Sequence, residues 1–482
     1  MDGHAGKILK LDLSAGRPEI IPTSRYEEWI GGIGIGTALF WDEVDKDYIT
    51  DTSRISGFEP ENVVCIVPGV MSGAMAPGGA RTEVCGVAPE VYPRPQFIRS
   101  NFGGNFAPML KFAGYDAIVV TGRAAAPVWV DIRDERVTFR DAGDLWGLGF
   151  YDAEKRIWSE VSGSEDYRQQ GWHEGTTQRA AVVGIGQCGE NLSRIGCLVH
   201  GADTAAGCGG FGGVFGSKNL KAISVIGTGS LVVARPEELM AVWQWVAKHR
   251  PKKLGATFPE PLTDQRRISC FGCMSACKVN TKRKEMSGSV GQCIERGFYV
   301  AEDRARHGKN TRAEHVAGQL AQDYGINLYA AWDMLVWLES LHGRGLLGKG
   351  RAIDTDLDFD SLGSEEFIRD YLGRIAHGTE IGADLAEGWV RAAAKWGILE
   401  EELASGAVSA IHWGIGDQHW TNNVEWAYLS LFDARDCNAH DIQFGETLEK
   451  TAERYAELAP PWHDKLMLDQ SRTGVYSIHC AR

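Results

Sequence analysis

No stretch of this 482-residue chain approaches the ~20 consecutive apolar residues that a membrane-spanning helix requires. The opening Met1-Asp-Gly-His has no basic start leading into an apolar core, so no secretory leader is read there. Positive charge is in deficit, with 50 Lys and Arg against 64 Asp and Glu and a net charge of −14. That balance argues against a nucleic-acid surface, while leaving room for a local basic pocket facing an anionic ligand. Internal repeats and low-complexity tracts are missing. The expectation is a soluble, cytoplasmic chain whose 11 cysteines stay reduced.

What is abundant is glycine, 59 residues, well above the usual ~7%. The glycines follow no triplet period, which excludes collagen. They point instead to many places where backbone approaches backbone or ligand. The 16 tryptophans imply large buried surfaces or flat apolar pocket walls. At 44% hydrophobic residues the chain can bury a large core and divide into two or three domains.

Cys270-Phe-Gly-Cys273-Met-Ser-Ala-Cys277 carries the strongest chemical signal. Three thiols at x2 and x3 spacing suit an iron–sulfur cluster, which a short loop can wrap. Zinc also takes Cys-x2-Cys, but it usually answers with a second close pair, and none follows. Buried structural cysteines are the third reading. Cys293 lies further on in a different frame.

In chain order, Lys7–Leu13, a stretch ending in Glu19-Ile-Ile-Pro22, Asn62–Val67, Thr82–Val87, Tyr115–Val120 and Val128–Ile132 read as strands. Glycine loops lie between them. Gly31-Gly-Ile-Gly-Ile-Gly36 opens a helical stretch and suits either a phosphate-facing loop or a tight turn. It lacks the Lys-Ser/Thr of a nucleotide loop and the acid of a dinucleotide fingerprint. Ala180–Val183 is a further strand, running into Gly186-Gln-Cys-Gly-Glu190. Gly207 to Ser217 carries so little side-chain bulk that it can meet a flat ligand, with Lys218 and Lys221 as phosphate partners or solvated surface. His200 is either a hydrogen-bonded structural histidine or a proton donor.

The fold expected is α+β, with a β-rich domain over residues 1–225. A helical domain with the cysteines follows over 226–400, and part of a second helical domain over 401–482. Helices are expected at 236–248, 313–324, 330–341, 364–377 and 383–395, from apolar spacing and terminal signals. Arg435, Cys437 and His440 crowd into one segment that suits a pocket wall.

Six pieces in order, Gly31–Gly36, Gly103-Gly104 with Lys111–Asp116, Gly184–Asn191, Gly207–Ala222, the cysteine triplet and Gln322–Asn327, make the chain resemble the tungsten-containing aldehyde:ferredoxin oxidoreductase family. Within it, the chain is most similar to the catalytic subunit of class II benzoyl-CoA reductases. The resemblance implies a β-rich domain cradling tungsten, or molybdenum, held by two pyranopterins, with two helical domains covering it. It implies one [4Fe–4S] cluster on Cys270, Cys273, Cys277 and a fourth cysteine, Cys480 ahead of Cys437. A further Mg, Zn or Fe ion is compatible with it. Carried over residue by residue, the pterin contacts would be Gly34, Gly36, Arg81, Gly103, Gly104, Asn105, Gly207, Gly209, Gly210, Gly212, Ser217, Lys218, Gln322, Gly325, Asn327 and Arg435.

Departures from the family pattern shape the functional expectation. Where aldehyde oxidoreductases carry an acidic stretch, this chain has Gly291-Gln-Cys293-Ile-Glu295. Cys293 is therefore expected to ligate tungsten directly, as a protein cysteine does in the reductase branch. Gln322 and Asn327 stand where the family carries aspartates. The chain ends in Ser477-Ile-His-Cys480-Ala-Arg482, and it is expected to be shorter than family catalytic subunits. The leading expectation is reduction of an aromatic or cyclic unsaturated acyl-CoA, with His200 or His440 as proton donor and Glu190 orienting it. The alternative is oxidation of aldehydes to carboxylic acids. A subunit that keeps the fold without the metal is a third. An electron-transferring Fe–S subunit or ferredoxin is the expected partner, in an oligomer.

Overall fold

The computed structural model describes residues 2–162, 179–201, 204–249, 265–274, 278–283, 286–287 and 297–408. The first sheet contains β1 (Lys7–Asp12), β2 (Arg17–Pro22), β3 (Val64–Pro68), β4 (Thr82–Ala88), β5 (Gln96–Phe102) and β6 (Tyr115–Thr121). Their order is β2-β1-β6-β3-β4-β5. The second sheet contains β7 (Val128–Arg133), β8 (Arg136–Asp141), β9 (Ala181–Gly184), β10 (Leu198–His200), β11 (Ala205–Ala206) and β12 (Leu220–Ile226), ordered β11-β10-β9-β12-β7-β8. Each sheet has one parallel neighbour pair, β1 with β6 and β12 with β7, and its other pairings are antiparallel. A small antiparallel sheet joins β13 (Gln265–Ile268), β14 (Lys278–Arg283) and β15 (Met286–Ser287).

Strand alternation decides which side each residue serves. Leu9, Leu11, Val64, Ile66, Ile118 and Val120 face a core shared with Val130, Val183 and Ile223 of the second sheet. Their sequence neighbours Ile8, Cys65, Val67, Ala117 and Val119 face the other way, against helix α1 (Ile33–Glu43). The short α2 (Lys46–Thr50) follows it. Two helices, α3 (Phe106–Phe112) and α6 (Phe211–Ser217), contribute Phe106, Leu110, Phe211 and Phe215 to the core between the sheets. The outer face of the second sheet packs on α4 (Phe150–Ser162) through Trp129, Phe150, Ile157 and Val182. One-turn α5 (Gln187–Glu190) follows β9.

The second half is helical: α7 (Pro236–His249), α8 (Val300–His307), which was not among the expected helices, α9 (Arg312–Tyr324), α10 (Leu328–Gly343) and α11 (Glu365–His377), then α12 (Ile381–Leu385), α13 (Trp389–Lys395) and α14 (Leu399–Ser405). Caps set the boundaries. The Thr311, Asn327 and Ser364 side chains accept the first free N–H groups of α9, α10 and α11, and Gly325 and Gly378 close α9 and α11 in the left-handed conformation. The single helix expected over 383–395 is two helices, because Gly388 sits between them at φ 87°. Met334, Leu338, Ile368, Leu372 and Ile375 form the centre of this helical core. No helix among the described residues is long and apolar enough to cross a membrane.

The N-terminal segment is fixed by one buried charge pair. Asp116 accepts from Ala5 N–H at 2.9 Å, Gly6 N–H at 2.7 Å and the Thr23 hydroxyl at 2.7 Å. Lys111 Nζ completes the set at 2.5 Å and also donates to Gly3 O at 2.8 Å. Both side chains are 1% exposed.

Candidate active site

The strand pair β4–β5 carries an unusual amount of buried polarity. In register, Thr82 faces Phe102, Glu83 faces Asn101, Val84 faces Ser100 and Cys85 faces Arg99. Glu83, Arg99 and Asn101 therefore share one face, and Thr82 and Ser100 the other. Arg99 lies 3.8 Å from Glu83, and Arg81 donates to Asn101 Oδ1 at 2.9 Å. Thr82 and Ser100 are fully buried and Asn101 nearly so. Yet among the described residues the Thr82 and Ser100 hydroxyls and the Asn101 amide nitrogen have no hydrogen-bond partner. Each such buried polar group costs about 1–3 kcal/mol if left unsatisfied. Thr82 and Ser100 on one face and Asn101 on the other leave hydrogen-bonding capacity open on both faces of this strand pair.

At the end of β5 the chain turns through Gly103 and Gly104 into α3. A Cβ on Gly103 would stand 2.9 Å from the Cys270 sulfur, and one on Gly104 would stand 2.4 Å from His200 Nε2. Gly104 also has φ +96°, which disfavours any side chain. This turn and the Cys270–Cys273 turn are bonded together. Phe271 N–H donates to Gly104 O at 3.0 Å, Gly78 N–H donates to Gly272 O at 3.2 Å, and Cys273 N–H donates to Cys270 O at 3.1 Å. Cys270 and Cys273 are half-buried.

His200 is held by both ring nitrogens. The Asn105 N–H donates to Nε2 at 3.2 Å, so Nε2 accepts and the proton sits on Nδ1, which donates to Val182 O at 2.6 Å. Phe102 and Phe106 flank the ring at 5.5 and 5.9 Å. In this arrangement the ring positions the Gly103–Asn105 loop, and neither nitrogen is left to pass a proton onward. The Thr204 hydroxyl donates to His200 O and closes the same corner.

Arg81, Gly103, Gly104, Asn105, His200, Cys270 and Cys273 thus come together. The other residues carried over lie elsewhere, and the structure shows what each touches. A Cβ on Gly34 would meet Trp29 O at 2.4 Å, and one on Gly36 would meet the Cys85 sulfur at 2.7 Å, so both serve the packing of α1. Gly210, Gly212 and Gly216 lie so close to Arg194 O, Cys197 O and Gly189 O that a Cβ would fall 2.2, 2.4 and 1.9 Å away. Gly189 and Gly213 meet Gly212 O and Ser193 O in the same way. This glycine stretch is a backbone-on-backbone seam between α5 and α6. Beside it, Gly207 O accepts from the Cys197 thiol, and the Ser217 hydroxyl donates to Val214 O at 2.9 Å.

Lys218 is fully buried and donates to Pro60 O and Gly122 O at 3.0 and 2.9 Å. Burial pushes its ammonium down to about 7. Glu190 pairs with Lys221 and accepts Gly147 N–H at 2.8 Å, on the seam and apart from His200. Gly325 caps α9, and buried Gln322 lies in its last turn. Asn327 donates to Glu90 at 3.0 Å, and Gly209 N–H donates to the other Glu90 oxygen. Burial pushes the Glu90 carboxyl up to about 7. Cys277, Cys293, Arg435, Cys437, His440 and Cys480 lie outside the described residues. Among those described, no three His, Cys, Asp or Glu side chains converge in a metal-holding group.

Thr82, Glu83, Arg99, Ser100, Asn101, Thr204 and Glu90 were not singled out from the sequence. A readable signal existed for Arg99, Ser100 and Asn101. β5 carries Arg-Ser-Asn in succession, three polar residues inside a strand whose end is apolar. These groups fit a flat, polar, anionic cofactor. On one face the Asn101 amide offers a hydrogen bond and Arg81 a cation, on the other the Thr82 and Ser100 hydroxyls offer hydrogen bonds, and the missing Cβ of Gly103 lets the Cys270 thiol approach the loop.

Comparison with known proteins gives a consistent picture. The family model for the aldehyde ferredoxin oxidoreductase N-terminal domain matches residues 8–227, and that for domains 2 and 3 matches residues 215–410. The tungsten-containing aldehyde ferredoxin oxidoreductase of Pyrococcus furiosus is 36% identical over 248 residues, 50% of this chain and 36% of that one. The protein of the same name from Pyrococcus horikoshii is 28% identical over 443 residues, 83% of this chain and 68% of that one. The matched region is thus about a third of the first relative's length and two-thirds of the second's. Among solved structures, the active-site complex BamBC of benzoyl coenzyme A reductase with 1,5-dienoyl-CoA shares the fold, with TM-score 0.75 and 24% identity over 97% of this chain and 76% of that one. The two family models between them take in both sheets, the cysteine turn and the helical core, and the chain belongs to the aldehyde ferredoxin oxidoreductase family.

Proposed function

We propose that this chain is the cofactor-holding core of a tungsten-pterin and iron–sulfur oxidoreductase. The observation that supports the reading best is the set of unpartnered buried groups on β4–β5, lying in the strand pair that feeds the glycine loop against Cys270. Arg81 and Asn101, on one face of the strand pair, would hold a pterin, and Cys270 and Cys273 would hold one side of the cluster with Cys277. When bound, the tungsten centre supplies two-electron chemistry and the cluster relays electrons one at a time.

The favoured reaction is oxidation of an aldehyde. An aldehyde and water give a carboxylic acid, two protons and two electrons, and the electrons leave singly to a one-electron carrier. The aldehyde reading takes precedence over the acyl-CoA reading because the relatives of higher identity are named for aldehydes. The chain's own part is to exclude water and hold geometry. Phe102 and Phe106 shield His200, and His200 fixes the loop that abuts the thiol.

The second reading is reduction of a cyclic unsaturated acyl-CoA. Cys293, a thiol where aldehyde oxidoreductases carry an acid, favours it. There Cys293 would bind the metal and His440 would donate the proton, since both His200 nitrogens are engaged. Anaerobic purification with metal analysis comes first, followed by viologen reduction with aldehydes and a CoA-ester reduction assay. Iron and tungsten with aldehyde-dependent viologen reduction support the first reading. Absence of both tungsten and molybdenum would overturn both readings. CoA-ester reduction without aldehyde oxidation, together with a tungsten X-ray absorption spectrum altered in Cys293→Ser, would put the second in place of the first.

A further inference from the structure

The turn that carries Cys270 and Cys273 lies beside an apolar surface strip. A Cβ on Gly272 would meet the Trp243 ring at 4.0 Å and Ala76 O at 3.4 Å. Trp243 donates its indole N–H to Met75 O. Met75 is 48% exposed, and Met240, one helical turn before Trp243, is 58% exposed. Leu231 reaches Gly73 from the segment before α7, and its neighbour Val232 is 70% exposed. α7 itself buries no residue completely over 236–248.

The two segments that form this strip are free of charge. Residues 69–80 read Gly-Val-Met-Ser-Gly-Ala-Met-Ala-Pro-Gly-Gly-Ala, and residues 239–247 read Leu-Met-Ala-Val-Trp-Gln-Trp-Val-Ala. In a chain with 24% charged residues, two uncharged stretches meeting at one surface is a strong local bias. At the start of α7, Arg235 and Glu238 neutralise each other at 3.2 Å. An exposed apolar strip of this kind marks an interaction surface, and methionine and tryptophan are residues that interfaces favour.

We propose that the strip formed by Met75, Trp243 and Met240 is the docking surface for a small iron–sulfur electron carrier. The inference rests on the oxidoreductase reading above, which requires a one-electron partner close to the cysteine turn. Chemistry and placement select the occupant. Cys270 and Cys273 would hold a cluster that supplies electrons singly, and Met75 and Trp243 border the turn that carries them. With no charge on the strip, docking depends on apolar burial, so ionic strength has little influence on it.

The test uses the full chain purified anaerobically, with Met240→Glu and Met75→Glu variants and a bacterial two-cluster ferredoxin as probe. Calorimetry gives the ferredoxin Kd, and turnover is followed with ferredoxin and, separately, with benzyl viologen. A buried charge in the interface weakens binding about tenfold or more. Ferredoxin-linked turnover falls with it, viologen-linked turnover stays unchanged, and raising salt from about 50 to about 300 mM shifts Kd less than about threefold. Unchanged ferredoxin affinity in both variants overturns the proposal. So does a loss of more than about tenfold with salt, which would indicate a charged dock elsewhere. A change in the sedimentation of the chain alone, with ferredoxin binding intact, would assign the strip to a second copy instead. If no aldehyde drives viologen reduction, the functional reading fails while the calorimetry still decides the docking surface.

Discussion

Replacing Lys111 with methionine isolates one charge in the lock that holds the N-terminal segment. The substitution keeps the length of the side chain and removes its ammonium. Asp116 would keep three donors, from Ala5, Gly6 and Thr23, but lose its counter-charge at 1% exposure. Removing one partner of a buried ion pair costs about 3–5 kcal/mol. For domains of 150–250 residues each kcal/mol moves Tm about 2–4 °C, so a fall of roughly 10 °C is expected. The pH dependence gives a sharper check. In the native protein burial pushes the Asp116 carboxyl up, but Lys111 and the donors outweigh it and hold it below its ordinary value. Its contribution is therefore present above the unfolded pKa and is lost as pH falls through the depressed one. Without Lys111, burial leads and the carboxyl rises. The native state then binds more protons than the unfolded state, and stability falls as pH rises through the new value. Scanning calorimetry should show a larger deficit at about pH 7.5 than at about pH 5. A fall of under about 2 °C at neutral pH, or an equal fall at both, would refute the reasoning. If Lys111→Met does not fold, Thr23→Val removes one donor and should cost about 1 kcal/mol.

Two further substitutions test the site. Gly104→Ala should destabilise the chain and lower its iron content, through positive φ and a Cβ 2.4 Å from His200 Nε2. Gly114→Ala, at φ +95° with nothing within 4 Å, carries the backbone term alone, so equal losses in the two would show that the His200 contact is unimportant. Glu90→Gln should flatten the pH profile of stability. A carboxyl raised to about 7 makes the native state lose up to about 3 kcal/mol between about pH 4.5 and 7, a slope that an amide cannot have. Melting curves across that window decide it, and an unchanged slope counts against the assignment.

Strands and helices were largely legible because the apolar residues keep period. Val64, Ile66, Ile118 and Val120 alternate, and Ser364 caps α11 where a serine before two acids indicated. Gly388 was not legible as a break, since an isolated glycine in a helical pattern is often tolerated. The two glycine stretches looked equivalent as sequence. Gly103-Gly104 faces a thiol and an imidazole, whereas Gly207–Gly216 lies mostly against its own chain. A missing side chain says that something approaches, and only the fold says what. The role of the β4–β5 polarity is not legible in the sequence for a related reason. Thr, Ser and Asn are common enough near strand ends, and their significance lies in being buried without hydrogen-bond partners among the described residues.

The seam between α5 and α6 has a mechanical consequence. Side chains normally absorb small displacements by changing rotamer, but Gly189, Gly212, Gly213 and Gly216 have none to change. The loop beyond α5 is bonded to the helical half through Arg194 N–H to Ala386 O and Asn327 N–H to Ile195 O, at 2.9 and 2.8 Å. A shift of that half is therefore transmitted to α6, between the sheets, with little slack. The seam works as a strut, coupling the helical core to the inter-sheet layer through backbone contacts alone.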